Sequence, residues 1–430
     1  MLSNIKILLG SSFIRNVMVV ATGTAAAQAI SMVFYPFITR LYGPEAFGLL
    51  GGYLAIVSIL TPMVALTYPL AIVLPRKESE AIHLVQLSLL FSILISFLTL
   101  IFILTWGSNF TAYLNLNEIE GYLWLIPLFM FFSSLRQIAE QWLIRNKEFK
   151  KIAKISIIQS FITNTSQLGV GLSYPNGLAL ILVQTVFQCI WSIQLWSKIS
   201  KHALHNIILI KKNFNSVKKA SLKYKDFALF RAPEVTIYAA SESAPVLMLS
   251  SFFGPASAGF YTLARTIMSI PTALIGKSVG DVFYPRINQA AINGESTYLL
   301  VRKATLLMAA VGFLPFMIVI IFGPWLFEVF FGADWKVAGD YARWLSIWLF
   351  FSFCNSPSIK AVPVIHAQGF QLIWTSLSII LRLTALYLAY YLFESEVSAI
   401  IFFAITGALL NALLILIVLN KCKTFDSLIK

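Results

Sequence analysis

"RLYGPEAFGLL" (residues 40–50) returns in outline about 210 positions later as "FFGPASAGFYT" (residues 252–262), and this pair decides how the chain is read. Each stretch carries Gly-Pro, three residues and a second glycine: Gly43-Pro44 with Gly48, and Gly254-Pro255 with Gly259. Both turns fall outside the expected spans, one between the first and second and the other between the seventh and eighth. Each copy is followed by an apolar, proline-bearing segment, with Pro62 and Pro69 in the first and Pro271 in the second. Each segment closes on Pro-Arg, at Pro75-Arg76 and Pro285-Arg286. A weaker echo joins "RNKEF" (145–149) to "HAQGF" (366–370). Three matches in order, at a nearly constant offset, point to a duplicated unit.

Composition says where such a unit lives. The 430 residues are 58% hydrophobic and 12% charged, with a mean hydropathy of +0.81. A soluble domain carries about 25% charged residues. The chain therefore reads as an all-α polytopic membrane protein. Apolar runs of about 20 residues mark roughly twelve spans. Their limits are 16–39, 46–74, 81–106, 120–143, 152–172, 177–197, 231–252, 258–284, 303–331, 341–364, 369–392 and 397–420. Six spans per half make a parallel repeat, since an even count preserves topology. The expected organisation is an N-terminal six-helix lobe over 1–197, a basic linker over 198–230 and a C-terminal six-helix lobe over 231–430. Two such halves with a site near the midplane are the layout of an alternating-access transporter.

Charge orients the spans. Most of the 32 Lys and Arg residues fall in one set of alternating loops, including the run from Lys198 to Arg231. The opposite loops hold Lys336 with Glu118, Glu120, Asp334, Glu394 and Glu396. Basic loops stay cytoplasmic, so both termini of a multi-pass membrane protein are expected there. The same asymmetry accounts for most of the +14 net charge without nucleic acid. The N-terminus, "MLSNIKILLGSSFIRN", has no separate apolar core followed by a small-residue cleavage site, and reads as mature sequence.

Chemistry of other kinds is not written here. Cys189, Cys354 and Cys422 have no paired spacing for disulfides or a metal. The sequence lacks G-x-x-x-x-G-K-S/T and H-E-x-x-H. Its four histidines, His83, His202, His205 and His366, are scattered. A membrane glycosyltransferase wants an acidic pair on its first outer loop, and that loop offers Glu45 alone. A polymerase wants a sizeable outer loop, and the longest is roughly residues 107–119. No catalytic residue, metal ligand or cofactor is expected.

The segment "FYPFITRLYGPEAFGLLGGYLAIVSILTPMVALTYPLAIVLPR" (34–76) resembles the first hairpin of bacterial polysaccharide flippases, the O-antigen and capsule repeat-unit translocases. These form part of the multidrug/oligosaccharidyl-lipid/polysaccharide exporter superfamily. "FGPASAGFYTLARTIMSIPTALIGKSVGDVFYPR" (253–286) is similar to that family's second-half hairpin, and "FFGADWKVAGDYARWLS" (330–346) to its outer turn between spans nine and ten. The resemblance implies two lobes in a V around a central cavity and outward movement of undecaprenyl-pyrophosphate-linked oligosaccharide for O-antigen, lipopolysaccharide or other surface polysaccharide. It also implies a monomeric transporter, surrounded by membrane lipids, with a polysaccharide polymerase and a chain-length regulator as partners. A cation-coupled multidrug exporter of the same superfamily is the main alternative. Such exporters usually carry an acid in the first span, and "NVMVVATGTAAAQAISMVFYPFIT" has none. A lipid II flippase is another alternative, for which two further spans are expected.

Charge inside the spans is the signal for a transport path. Each such charge costs about 2.5–3.5 kcal/mol near the bilayer centre, so the cations and acids should face protein or water. Arg40, Arg265, Lys277 and Arg382 are expected to line a cationic substrate path. Glu242, Asp281, Arg136 and Glu140 are candidates for charge pairing or ion coupling, with Arg136 and Glu140 spaced to pair on one helix. Pro62, Pro69, Pro245 and Pro271 each remove a backbone donor within a span and are expected hinges. The lysines of 198–225 are expected to meet anionic headgroups at the membrane surface.

Overall fold

The computed structural model describes residues 12–113, 117–200 and 214–429. The side chains of residues 12–21, 110, 117–119, 214, 270–282, 285, 428 and 429 lie outside that description. Among the described residues the chain is helical and has no strand.

Two compact units divide the molecule, Met1–Ala258 and Gly259–Lys430. The first contains α1 (Ser12–Leu41), α2 (Pro44–Val64), α3 (Glu78–Tyr113), α4 (Leu125–Arg145), α5 (Phe149–Gly171) and α6 (Gly177–Trp196). It also contains a short amphipathic helix, α7 (Phe214–Lys223), and a long one, α8 (Ala232–Phe253). The second unit takes nearly all of α9 (Pro255–Ile292), then α10 (Thr297–Phe331), α11 (Lys336–Cys354), short α12 (Ser356–Ala361), α13 (Gln368–Phe393) and α14 (Glu396–Ile429). Each expected span thus contains a long helix, although 46–74 and 341–364 are interrupted after Val64 and Cys354. Among the described residues six helices are apolar and long enough to cross a membrane by length and composition alone. Several helices outrun their expected limits, because a helix continues past the hydrocarbon into its polar flanks: α3 reaches from Glu78 to Tyr113 and α14 from Glu396 to Ile429. Leu104, Leu307 and Leu314 stand outward, as suits a surface solvated by lipid. This is a polytopic all-α membrane protein.

Each Gly-Pro turn is the junction at which a helix begins. Pro44 opens α2 behind extended Gly43, and Pro255 opens α9. They differ in backbone. Gly43 has φ −71°, which any residue adopts, whereas Gly254 has φ +89°, which favours glycine. The helices that follow also differ. α9 is continuous through Pro271. The expected second span, 46–74, breaks after Val64 and resumes as a 3₁₀ helix at Tyr68–Val73. Leu66 (φ 48°) and Thr67 (φ 53°) make the break in left-handed conformation. The Pro69 ring would clash with the carbonyl of residue 65 in an uninterrupted helix. Thr67 Oγ1 donates to the Phe227 carbonyl at 2.9 Å, which fastens the break to the segment entering α8.

The first unit is cemented by neutral polar groups. α1 packs on α5 where Gly23 meets Ala153, the close approach small residues permit. Asn164 Nδ2 of α5 donates across the same pair to Ser31 Oγ (3.0 Å), and within its own helix to the Ser160 carbonyl (2.7 Å). Tyr53 and Thr185 hydroxyls share a buried hydrogen bond at 3.0 Å between α2 and α6. Helix α8 packs on α2 within this unit, so the compact division falls after the seventh long helix, beyond the expected lobe boundary at 231. The second half of the expected linker is not a loose surface strand. Val217 and Ala220 of α7 are buried in the first unit's core with Leu84, Trp142 and Leu195.

In the second unit α10 and α11 cross at backbone contact, where a Cβ on Gly339 would lie 2.5 Å from Pro324 Cα. Asp426 near the end of α14 grips the start of α10. Its carboxylate accepts from Ser296 Oγ (2.8 Å), Thr297 N (2.9 Å), Thr297 Oγ1 (2.6 Å) and Tyr298 N (3.0 Å). An anion at a helix N-terminus satisfies amides that have no partner within the helix.

Candidate functional site

The second unit gathers two of the sequence's candidate cations on one indole. Arg382, midway along α13, places its guanidinium carbon 3.7 Å from the centroid of Trp348 on α11 and 4.2 Å from that of Phe403 on α14. Arg265 on α9 lies 4.9 Å from the same Trp348 ring. Four helices therefore converge here. A cation over an indole gains about 0.5–2 kcal/mol, more as water is removed, which offsets part of the cost of holding charge inside a span.

The indole itself is held hard. Trp348 is 5% exposed and Phe403 1%. Their rings meet edge to face at 5.5 Å, and Tyr261 continues the stack at 6.4 Å from Phe403. Gly407 on α14 provides the seat: a Cβ there would lie 2.7 Å from Trp348 Cδ1 and 3.0 Å from Cγ and Nε1. Both arginines are half-buried. A stacked guanidinium presents its N–H edge, not its face, to an oxyanion, and binds carboxylate or phosphate through paired hydrogen bonds. An aromatic floor with two guanidiniums is thus chemistry for an anion.

The other candidates are distributed. Arg136 and Glu140 pair on α4 at 2.7 Å, and Arg136 also stands 4.6 Å from the Trp191 ring; the helical pairing expected from their spacing is what forms. Arg40 is exposed in the last turn of α1, and Glu242 is half-buried on α8. The side chains of Lys277, Asp281 and Pro271 lie outside the described residues. Pro62 lies inside α2 close to its end, Pro69 is buried in the 3₁₀ helix after the break, and Pro245 is buried inside α8. Among the described residues no group of three or more His, Cys, Asp or Glu could hold a metal ion.

Sequence reasoning named the two arginines but not Trp348, Phe403 or Gly407. A search for charge finds the former. With aromatics at 14% of the chain, one tryptophan carries no mark of its own until packing brings it under a cation.

Comparison with known proteins completes the description. Residues 37–340 match the family model described as "Polysaccharide biosynthesis protein". The succinoglycan biosynthesis transport protein ExoT of Rhizobium meliloti (strain 1021) is 22% identical over 411 residues, covering 93% of this chain and 75% of that protein. The inner membrane protein YghQ of Escherichia coli (strain K12) is 31% identical over 108 residues, 24% of this chain and 29% of that one. Among solved structures, an inward-facing multidrug resistance MATE family transporter of the MOP superfamily aligns with a TM-score of 0.70 at 13% identity, over 94% of this chain and 96% of that one. The lipid II flippase MurJ, in an inward closed conformation, aligns with a TM-score of 0.68 at 13% identity, over 95% and 90% of the two chains. At such identities the likeness establishes a shared fold.

Proposed function

This chain belongs to the polysaccharide biosynthesis protein family, and we propose that its task is to flip undecaprenyl-pyrophosphate-linked oligosaccharide units from the cytoplasmic to the outer face of the inner membrane, for O-antigen or another surface polysaccharide. The observation that carries this reading is the pair Arg265 and Arg382 on Trp348. A pyrophosphate or an acidic sugar crossing a low-dielectric interior needs fixed positive charge. Two guanidiniums on one aromatic floor supply it with little reorganisation, because packing already positions the floor. Arg40 and Lys277 are further cationic stations of the same path. Glu242 and Asp281 set the charge around Lys277 or bind a coupling cation. Pro62, Pro69, Pro245 and Pro271 let their helices bend as access alternates between six-helix halves at 1–197 and 231–430, joined through 198–230. The polymerase and chain-length regulator act on the flipped product.

The test is export in cells deleted for this gene and complemented with variants. The wild-type gene should restore surface polysaccharide. Arg382→Gln and Arg265→Gln together should leave lipid-linked oligosaccharide on the cytoplasmic side, at equal membrane levels of protein. Normal polysaccharide in the deleted cells, with lowered tolerance to cationic drugs, would overturn the proposal in favour of a multidrug exporter.

A further inference from the structure

A groove on the first unit, built by residues other than the arginine pair, has the length and charge of a phospholipid site. Its volume is about 560 Å³, within the ~300–1,000 Å³ of small-molecule sites. Helix α3 makes one wall through Leu87, Leu90, Leu94 and Phe97, and α7 closes one end through Lys218 and Ser221. Leu90, Leu94 and Phe97 are exposed. Leu87 to Phe97 spans ten residues, about 15 Å at 1.5 Å each. That is half of a ~30 Å hydrocarbon core, the depth of a single leaflet.

The polar end is fixed in place. Val217 and Ala220 bury one face of α7 in the core, and Lys223 forms an ion pair with Glu80 of α3. Lys218 and Lys219 stay exposed on the other face, with exposed Leu222 beside them. A helix with basic and apolar faces of this kind lies at a membrane surface. With Lys223 committed to Glu80, Lys218 is, among the described residues, the ammonium group that lines the groove. No acidic side chain lines it among the described residues.

We propose that this groove holds one acyl chain of an anionic phospholipid, with the lipid phosphate on the Lys218 ammonium. Charge complementarity selects an anionic over a zwitterionic headgroup, since each lysine at such a surface favours an anionic lipid. The one-leaflet depth selects a phospholipid acyl chain over a longer polyprenyl chain. Occupancy would hold α7 against α3 beside the helix break at 65–67, and so restrain the segment that leads into α8.

Native mass spectrometry of the full chain tests this, with dioleoylphosphatidylglycerol, dioleoylphosphatidylcholine and undecaprenyl phosphate added separately and in pairs. The phosphatidylglycerol adduct should outlast the phosphatidylcholine adduct. Lys218→Gln should weaken phosphatidylglycerol binding about fivefold, the worth of one lysine–headgroup contact, and leave phosphatidylcholine unchanged. Leu94→Trp, which fills the groove, should weaken both. Both positions are exposed, so the variants should keep the wild-type helical circular dichroism. Equal binding of the two phospholipids, wild-type binding in both variants, or displacement of phosphatidylglycerol by equimolar undecaprenyl phosphate would overturn the assignment. None of these outcomes depends on what the arginine site transports.

Discussion

Replacing Gly407 with alanine should cripple transport from a position that carries no charge. The added Cβ would stand 2.7 Å from Trp348 Cδ1 and 3.0 Å from Cγ and Nε1. Carbon atoms rest at about 3.5–4.0 Å, so the indole must recede by about 0.8 Å or more. It has little room, because it is 5% exposed with Arg382 at 3.7 Å, Arg265 at 4.9 Å and Phe403 at 5.5 Å. Overpacking of this kind costs about 1–3 kcal/mol. Part falls on the fold and part on the cation–π contacts, worth about 0.5–2 kcal/mol each. If the proposed anion path runs here, raising the barrier of the carrying step by about 1.4 kcal/mol slows transport about tenfold. The assay is polysaccharide export per unit of folded protein, with folded protein counted by size-exclusion of a fluorescent fusion. Gly43→Ala is the control, since no atom lies within 4 Å of its Cβ and its φ is −71°; it should export normally. Adding Trp348→Phe to Gly407→Ala should recover part of the rate, by making room while keeping a ring beneath the guanidiniums. Wild-type export by Gly407→Ala, or a loss that merely tracks the amount of folded protein, would refute the reasoning.

Other outcomes follow from single contacts. Asp426→Ala removes an acceptor of four hydrogen bonds at the start of α10, and charged hydrogen bonds are worth about 1.5–3 kcal/mol each. Thermal unfolding in detergent should move down by several degrees, with Asp426→Asn in between; an unchanged midpoint for alanine would show the clamp idle. Thr67→Val keeps the side-chain shape but loses the 2.9 Å bond to the Phe227 carbonyl, a deletion worth about 1–3 kcal/mol. Proteolysis near residue 227 should quicken, and an equal rate would show that the bond fastens nothing. For topology, with Cys189, Cys354 and Cys422 replaced, Asn176→Cys should react with an impermeant maleimide from outside intact cells and Asn215→Cys should not. Labelling at 215 would invert the proposed orientation.

How much was legible in the sequence depends on which physics is local. Span positions and helix junctions follow from hydropathy and from proline and glycine, which act on their own neighbourhood. The long helices therefore fall where the apolar runs predict, and each begins within a few residues of its Gly-Pro turn where one precedes it. The Arg136–Glu140 pair was legible too, since four residues on one helix bring side chains together. The break after Val64 was not. Two prolines announce strain, but whether a helix kinks or stops depends on what receives the freed backbone, and here the Phe227 carbonyl lies 160 positions from Thr67. Nor could α7 be told from a surface linker, because burial of Val217 and Ala220 needs α3 and its neighbours as partners. The arginine site shows the same division. Sequence alone identified Arg265 and Arg382 as charges too costly to face lipid. Only tertiary packing decided that both would rest on Trp348, because cation–π contact is short-ranged and joins side chains from α9, α11, α13 and α14 that share no local pattern.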